Sequence, residues 1–174
     1  AQVKVQEGCS LGCTYCIIPR VRGRPRSRPR EEIAAEVEQR VALGYREVVL
    51  TGTLLGTYGS DLEPATDLVS LVANLLERTN VPRLRLSSLL PHDITPGLLG
   101  LWPTGRLVPR FHLPLQSGSD AVLRRMGRRY TVEQFCQAVS ALRAAVPNAV
   151  ISTDLLVGFP GETEEEFEAS LALC

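Results

Sequence analysis

Along this chain, short apolar runs of strand length alternate with stretches whose apolar residues return at helical spacing. VKV at 3–5 reads as a first strand. It gives way to EEIAAEVEQRVALG at 31–44, where Ile33, Val37 and Val41 share one helical face and Gly44 supplies the stop. EVVLTG at 47–52 predicts a second strand, 67–79 a helix, RLRLSS at 83–88 a third strand after Pro82, and 95–102 a shorter helix. RFHLPLQS at 110–117 predicts the fourth strand. Thr131 with Gln134 has the form of a capping box, opening a helix with the stripe Val132, Phe135, Val139, Leu142 and Val146. AVISTDLLVGF at 149–159 predicts the fifth strand, and Thr163 with Glu166 repeats the capping-box form before a last helix.

Strand and helix in strict alternation predict parallel βαβ units with right-handed crossovers, in an open doubly wound sheet or a barrel-type wall. Either way, ligands gather where strand C-termini feed the following loops. The unusual segments GCSLGC, TGTLLGTYG, SSLLPHD, QSGSD and GFPGET all follow predicted strands. No linker of biased composition divides the chain, so one domain is expected over 1–174.

Lys plus Arg and Asp plus Glu both number 19, so net charge identifies no partner, but the charges are segregated. RVRGRPRSRPR at 20–30 carries six arginines and no acid, whereas GETEEEFE at 161–168 carries five glutamates and no base. No apolar run is long enough for a membrane span and no signal-peptide pattern opens the chain, which predicts a cytoplasmic protein.

Three of the five cysteines stand at 9, 13 and 16, with Gly8 and Gly12 among them. This is too tight for a disulfide framework. Thiolates bind soft metals, and a C-x3-C-x2-C loop can curl three sulfurs around one small object. A structural zinc with a fourth ligand from Cys136, Cys174, His92 or His112 is one reading, although zinc spacing normally comes as two separated pairs. Reduced core cysteines are a second. An iron–sulfur cluster with three protein ligands and one open iron is the third, and the preferred one.

CSLGCTYC, with an aromatic residue before the last cysteine, resembles the signature of the radical S-adenosylmethionine superfamily. CIIPRVRGRPRSRP, GYREVVLTG, LRLSS, FHLPLQSGSDAVLRRMGRRYT and STDLLVGFPGETEEEFE together resemble its methylthiotransferases, over nearly the whole chain. EVVLTG with Tyr58–Gly59, and RLRLSS, resemble most the branch acting on N6-threonylcarbamoyladenosine in tRNA. The alternatives are the same chemistry on isopentenyladenosine of tRNA or on a ribosomal-protein aspartate. A rival of another class is a zinc-stabilised RNA-binding module.

The resemblance implies a partial (β/α)6 TIM-like barrel, here truncated after about five βα units. It implies that Cys9, Cys13 and Cys16 ligate a [4Fe-4S] cluster whose open iron chelates S-adenosyl-L-methionine, reduced by an electron donor to release a 5′-deoxyadenosyl radical. A second [4Fe-4S] cluster is expected on an N-terminal methylthiotransferase domain, and an RNA-binding β-domain is expected to follow. Neither lies within 1–174, so the chain reads as an incomplete core.

Gly52, at the end of the second strand, would let the backbone approach the amino group of the sulfonium cofactor, unless it is a plain turn glycine. Ser87, Ser88, Gln116, Ser117 and Asp154, near the ends of strands three to five, are candidates for the ribose, carboxylate and adenine edges. His112 reads as structural, because the sequence supplies it no orienting partner. GFPG at 158–161 reads as a turn beside the cofactor, and Cys136 as core. With Pro25 and Pro29 favouring extended backbone, Arg20, Arg22, Arg24, Arg26 and Arg28 are expected to form a ladder for tRNA phosphates. The plainer alternative pairs them with the chain's own glutamates.

Overall fold

The structure, a computed structural model, describes residues 1–173. In chain order its principal elements are β1 (Gln2–Glu7), α1 (Ile18–Arg22), β2 (Arg26–Ser27), α2 (Arg30–Ala42), β3 (Glu47–Gly52), α3 (Leu68–Arg78), β4 (Arg83–Leu86), α4 (Pro96–Leu99), β5 (Arg110–His112), α5 (Asp120–Arg125), α6 (Val132–Ala145), β6 (Val150–Ser152) and α7 (Glu164–Leu173). The predicted alternation is present, and α1, the short β2 and α5 are additional to it.

β1, β3 and β4 pair in parallel, as do β5 and β6. The two groups are joined by parallel bridges Leu84–Leu107 and Ser88–His112, with Val108 N–H donating to the Leu84 carbonyl at 2.9 Å. The parallel strands therefore neighbour one another in chain order, which is the order of a barrel wall. A doubly wound sheet would reverse at a switch point. β2 caps the outer edge antiparallel to β1.

The core follows the predicted stripes. Val3, Val5, Val48, Leu50 and Leu84 from the strands pack with Ile33 and Val37 of α2 and Leu71 and Leu75 of α3, all fully buried. Each such side chain contributes about 1.5–3 kcal/mol by leaving water. Phe135, Ala138 and Leu142 carry α6 onto the same core. Both capping boxes form: Thr131 with Gln134, and Thr163 with Glu166.

The last two strands are shorter than their apolar runs. Pro114 has no N–H to offer the ladder, and the Thr153 hydroxyl substitutes for backbone there, accepting from Leu115 N–H at 2.9 Å and donating to the Leu113 carbonyl at 2.7 Å. Gln116 then takes a positive φ of 72°. The chain leaves regular pairing just where the site loops begin.

The expected extended ladder is present only in part: Arg26 lies in the strand β2, between Pro25 and Pro29, but the first arginines do not. Pro19 sits in the first turn of α1, a position proline favours, and Gly23 at φ 72° ends the helix. Arg20 and Arg22 are thus helical. Farther on, Ser27 donates from both its N–H and its hydroxyl to Asp61, and the Tyr58 hydroxyl donates to the Arg28 carbonyl, pinning β2 to the loop after β3.

Candidate active site at the cysteine loop

The cysteine loop leaves the C-terminal end of β1 and is held by three sets of bonds. Gln6, buried beneath it, donates from Nε2 to the Glu7 and Gly8 carbonyls at 2.9 Å each, and accepts Leu54 N–H at 2.9 Å. Cys9 N–H donates to the Gly23 carbonyl at 3.0 Å, and Gly8, at φ 78°, leaves no room for a Cβ against the Arg24 carbonyl. From the other side, Thr14 donates through its N–H to the Met126 carbonyl and through its hydroxyl to the Arg125 carbonyl, both at 3.0 Å. Gly127 then passes so close that a Cβ on it would lie 2.7 Å from the Gly12 carbonyl oxygen.

Cys9, Cys13 and Cys16 are free, half-buried, and line one cavity of about 230 Å³. Its other walls include Thr53 and Leu55 after β3, Ser88 and Asp93 after β4, Pro114 and Gln116 after β5, and Arg128. All of these but Arg128, which lies after α5, come from loops at the C-terminal ends of parallel strands. Beneath the loop a small apolar cluster of Leu54, Leu90, Leu123 and Tyr130 packs against Cys9 and Leu11 and keeps water from that side. Burial raises the Cys9 thiol above its ordinary range, so ligation there must displace a proton.

All three thiols line the same cavity. Among the described residues no three His, Cys, Asp or Glu side chains converge tightly enough to hold one metal ion. Of the proposed fourth zinc ligands, Cys136 packs against the main core and His112 is bonded elsewhere, while Cys174 lies outside the described residues; His92 is exposed, its Nε2 3.6 Å from Asp93 Oδ1, and borders a small pocket with Cys13. Tyr15, the aromatic residue before Cys16, meets Phe159 of the GFPG turn edge to face, with centroids 6.3 Å apart. That packing brings the loop after β6 against Tyr15, which itself lines the cavity.

The candidate polar residues separate by position. Ser88 and Gln116 line the cysteine cavity. Ser87 lines an adjoining cavity of about 340 Å³ on the inner face of the wall, which Ser88 also borders, and the buried Ser87 hydroxyl has no partner among the described residues. The Asp154 carboxylate is exposed, 3.2 Å from His112 Nε2. Gly52 faces Gln6: a Cβ there would stand 3.1 Å from Gln6 Oε1, so its bareness serves this close packing. Ser117 is buried away from the cavity, its hydroxyl accepting Ser119 N–H at 3.1 Å and lying 3.4 Å from that of Ser170 in α7.

Of the arginines, Arg26 pairs with Glu7 at 2.8 Å and Arg28 with Glu36 at 2.7 Å, as the plainer alternative supposed. Arg20, Arg22 and Arg24 are on the surface and make no ion pair among the described residues.

Sequence reasoning passed over four site residues. His112 does have orienting partners, with Nδ1 2.7 Å from the Ser88 hydroxyl and Nε2 beside Asp154. The register of β4, β5 and β6 places them side by side, and that register is not visible in one strand's sequence. Gln6, the one buried polar side chain of β1, was signalled only by breaking the apolar alternation. Asp93, whose carboxylate accepts Leu90 N–H at 2.7 Å and whose pKa is raised by burial, lies just after the third predicted strand. Arg128 lies in the MGRRY segment with its Nη1 3.5 Å from Cys13 Sγ. Only its place in a run of arginines marked it.

The chain matches the model of the Radical SAM superfamily over residues 3–174. Curated relatives include the tRNA-2-methylthio-N(6)-dimethylallyladenosine synthases of Clostridium botulinum, 40% identical over 174 residues, and Carboxydothermus hydrogenoformans, 42% identical. These alignments cover 99% of this chain and 39% and 40% of those proteins, so the chain spans about two fifths of their length. Among solved structures, the radical S-adenosylmethionine methyltransferase TsrM of Kitasatospora setae superposes with a TM-score of 0.80 at 19% identity, over 99% of this chain and 34% of that one. Methylornithine synthase gives 0.66 at 17% identity, covering 99% and 48%. The barrel-wall strand order, the three cysteines on one cavity at its C-terminal rim and the match over residues 3–174 together place this chain in the Radical SAM superfamily.

Proposed function

We propose that this chain is the catalytic core of a tRNA methylthiotransferase, that Cys9, Cys13 and Cys16 hold a [4Fe-4S] cluster, and that S-adenosyl-L-methionine binds in the cavity they line. The observation that carries this is the common cavity, lined by all three thiols together with Ser88 and Gln116. When bound and reduced, the cluster supplies the electron that cleaves the sulfonium and starts radical chemistry at a substrate C–H bond.

The chain's own residues bind, orient and exclude water. Gln6 and the Arg125–Gly127 turn fix the cysteine loop from both sides. Leu54, Leu90 and Leu123 keep its underside dry. Gln116, held at positive φ, and Ser88, turned toward His112, present polar atoms to the bound sulfonium. Ser87 and Asp154 border the same region and serve the more distant edges of the cofactor, with Gly52 and Ser117 supporting the loops behind it.

The names of the relatives support N6-dimethylallyladenosine of tRNA as the target, in preference to the threonylcarbamoyl adenosine that the sequence motifs suggested. Arg20, Arg22 and Arg24, beside the cysteine loop, are the side chains offered to tRNA phosphates. A tRNA substrate supports a cytoplasmic location, and no helix among the described residues is long and apolar enough to cross a membrane.

The test is to incubate the intact, anaerobically reconstituted protein with reductant, S-adenosylmethionine and tRNA carrying one or the other adenosine, then analyse nucleosides by mass spectrometry. A methylthio product from the dimethylallyl tRNA alone is expected. Product only from the threonylcarbamoyl tRNA reverses the substrate reading, and none from either overturns the activity.

A further inference from the structure

The fold holds one cation directly against the cysteine loop. Arg128 is half-buried, and its Nη1 lies 3.5 Å from Cys13 Sγ, within reach of an N–H···S hydrogen bond. Nothing in the cofactor reading above gives it a task. Among the described residues no carboxylate pairs with it, so the sulfur side of the loop is where its charge is felt.

The guanidinium is aimed from two directions. Its Nε and Nη2 donate to the Tyr130 hydroxyl at 3.0 and 2.8 Å, and it lies over the Tyr130 ring at 4.9 Å from the centroid. That hydroxyl has its own proton directed to the Pro114 and Leu115 carbonyls, 2.7 and 2.9 Å away at the end of the β5 segment. Tyr130 is buried. The backbone carrying Arg128 is docked on the cysteine loop through Thr14 and through the bare approach of Gly127 to Gly12. A long side chain usually loses much rotamer freedom to reach such a position. Here packing on both sides fixes it.

We propose that Arg128 tunes the electron affinity of the cluster held by Cys9, Cys13 and Cys16, by hydrogen-bonding the Cys13 sulfur, and that Tyr130 is the residue that positions it. The proposal rests on the cluster reading above. Adding an electron makes the cluster more negative, and a fixed, partly desolvated cation with an N–H aimed at a ligating sulfur favours that state. Hydrogen bonds to the sulfurs and local charge are the protein's principal means of setting such potentials. Arginine suits the task because it stays charged at any working pH and its planar fork serves Tyr130 and the sulfur together.

The experiment is a spectroelectrochemical titration of the intact, reconstituted protein before S-adenosylmethionine is added, following the reduced-cluster signal that disappears in C13A. In R128M the midpoint is expected to fall by at least tenfold in the one-electron reduction equilibrium, which is about 59 mV. R128K, which returns the charge, restores part of the shift. Y130F, with iron content and circular dichroism unchanged, gives a smaller fall in the same direction, which a purely structural role would not produce. Should R128M fail to fold, R128Q carries the test with the same two outcomes. An R128 variant that keeps the wild-type midpoint overturns the proposal, and one that keeps it while losing affinity for S-adenosylmethionine makes Arg128 a cofactor-binding residue instead. Absence of any C13A-sensitive signal in the wild type is a different failure, that of the cluster reading itself.

Discussion

The side-chain carbonyl of Gln6 accepts the backbone N–H of Leu54 at 2.9 Å, tying the end of β1 to the loop after β3 directly under the cysteines. The same amide donates to the Gly8 carbonyl, so one buried side chain satisfies two loops at once. Buried backbone groups must be paired somewhere, and here no strand partner is available to either.

Replacing Gln6 by Ala leaves those groups unpaired, at roughly 1–3 kcal/mol each. Urea unfolding of Q6A should show a lower midpoint with unchanged slope, and the reconstituted protein should hold less iron. A midpoint within error of the wild type would mean that water replaces the amide.

Gly127 is the second fixed point of the loop. G127A combines a positive φ of 72° with a Cβ placed 2.7 Å from the Gly12 carbonyl oxygen, and neither neighbouring group is a flexible side-chain tip. A loss of about 1–3 kcal/mol is expected from the backbone conformation alone. Limited proteolysis should show faster cleavage in the cysteine loop than elsewhere.

The hydrogen bond from the Arg28 guanidinium holds the Glu36 carboxyl below the usual carboxylate range, with Arg40 adding to it. A depressed folded-state pKa stabilises above the unfolded value and is lost as pH falls through the folded one. E36Q should therefore be less stable than wild type by about 0.5–1 kcal/mol at pH 7, a modest figure because all three side chains keep some contact with solvent. The difference should begin to shrink as pH falls through the unfolded glutamate value of about 4.3, and the two unfolding midpoints should converge only below the depressed folded-state value. Parallel curves at every pH would show that the ion pair contributes nothing.

Arg20, Arg22 and Arg24 stand without an ion pair among the described residues, where Arg26 and Arg28 are paired. The triple variant R20A/R22A/R24A should weaken tRNA binding across sequences and flatten the dependence of log K on log salt by about one for each phosphate no longer neutralised. Its folding stability should stay within about 0.5 kcal/mol of wild type. Filter binding at several salt concentrations reads the first, thermal unfolding the second. An unchanged salt slope would send the tRNA phosphates to another part of the surface.

What could be read from sequence follows from what is local. The helical stripe of Ile33 and Val37 and the capping boxes at Thr131 and Thr163 are set by residues close in the chain, and each stands as expected. α5 escaped because six residues give too little periodicity, though Ser119 caps it. The arginine stretch is extended at Arg26–Ser27, as Pro25 and Pro29 suggested, but Pro19 and Gly23, one turn earlier, enclose a helix that takes Arg20 and Arg22 out of the ladder. The site's supports were hidden for another reason. Gln6 with Leu54, His112 with Asp154 and Arg128 with Cys13 meet only through the register of the strands and the docking of loops.

The central claim is that these cysteines hold a cluster with an iron open to S-adenosylmethionine. The most direct measurement is the electron paramagnetic resonance spectrum of the anaerobically reconstituted, reduced protein with and without S-adenosylmethionine, beside C13A. A signal that changes on adding the sulfonium and is lost in C13A is the predicted result. A folded protein whose spectrum ignores both the sulfonium and the substitution would contradict that claim.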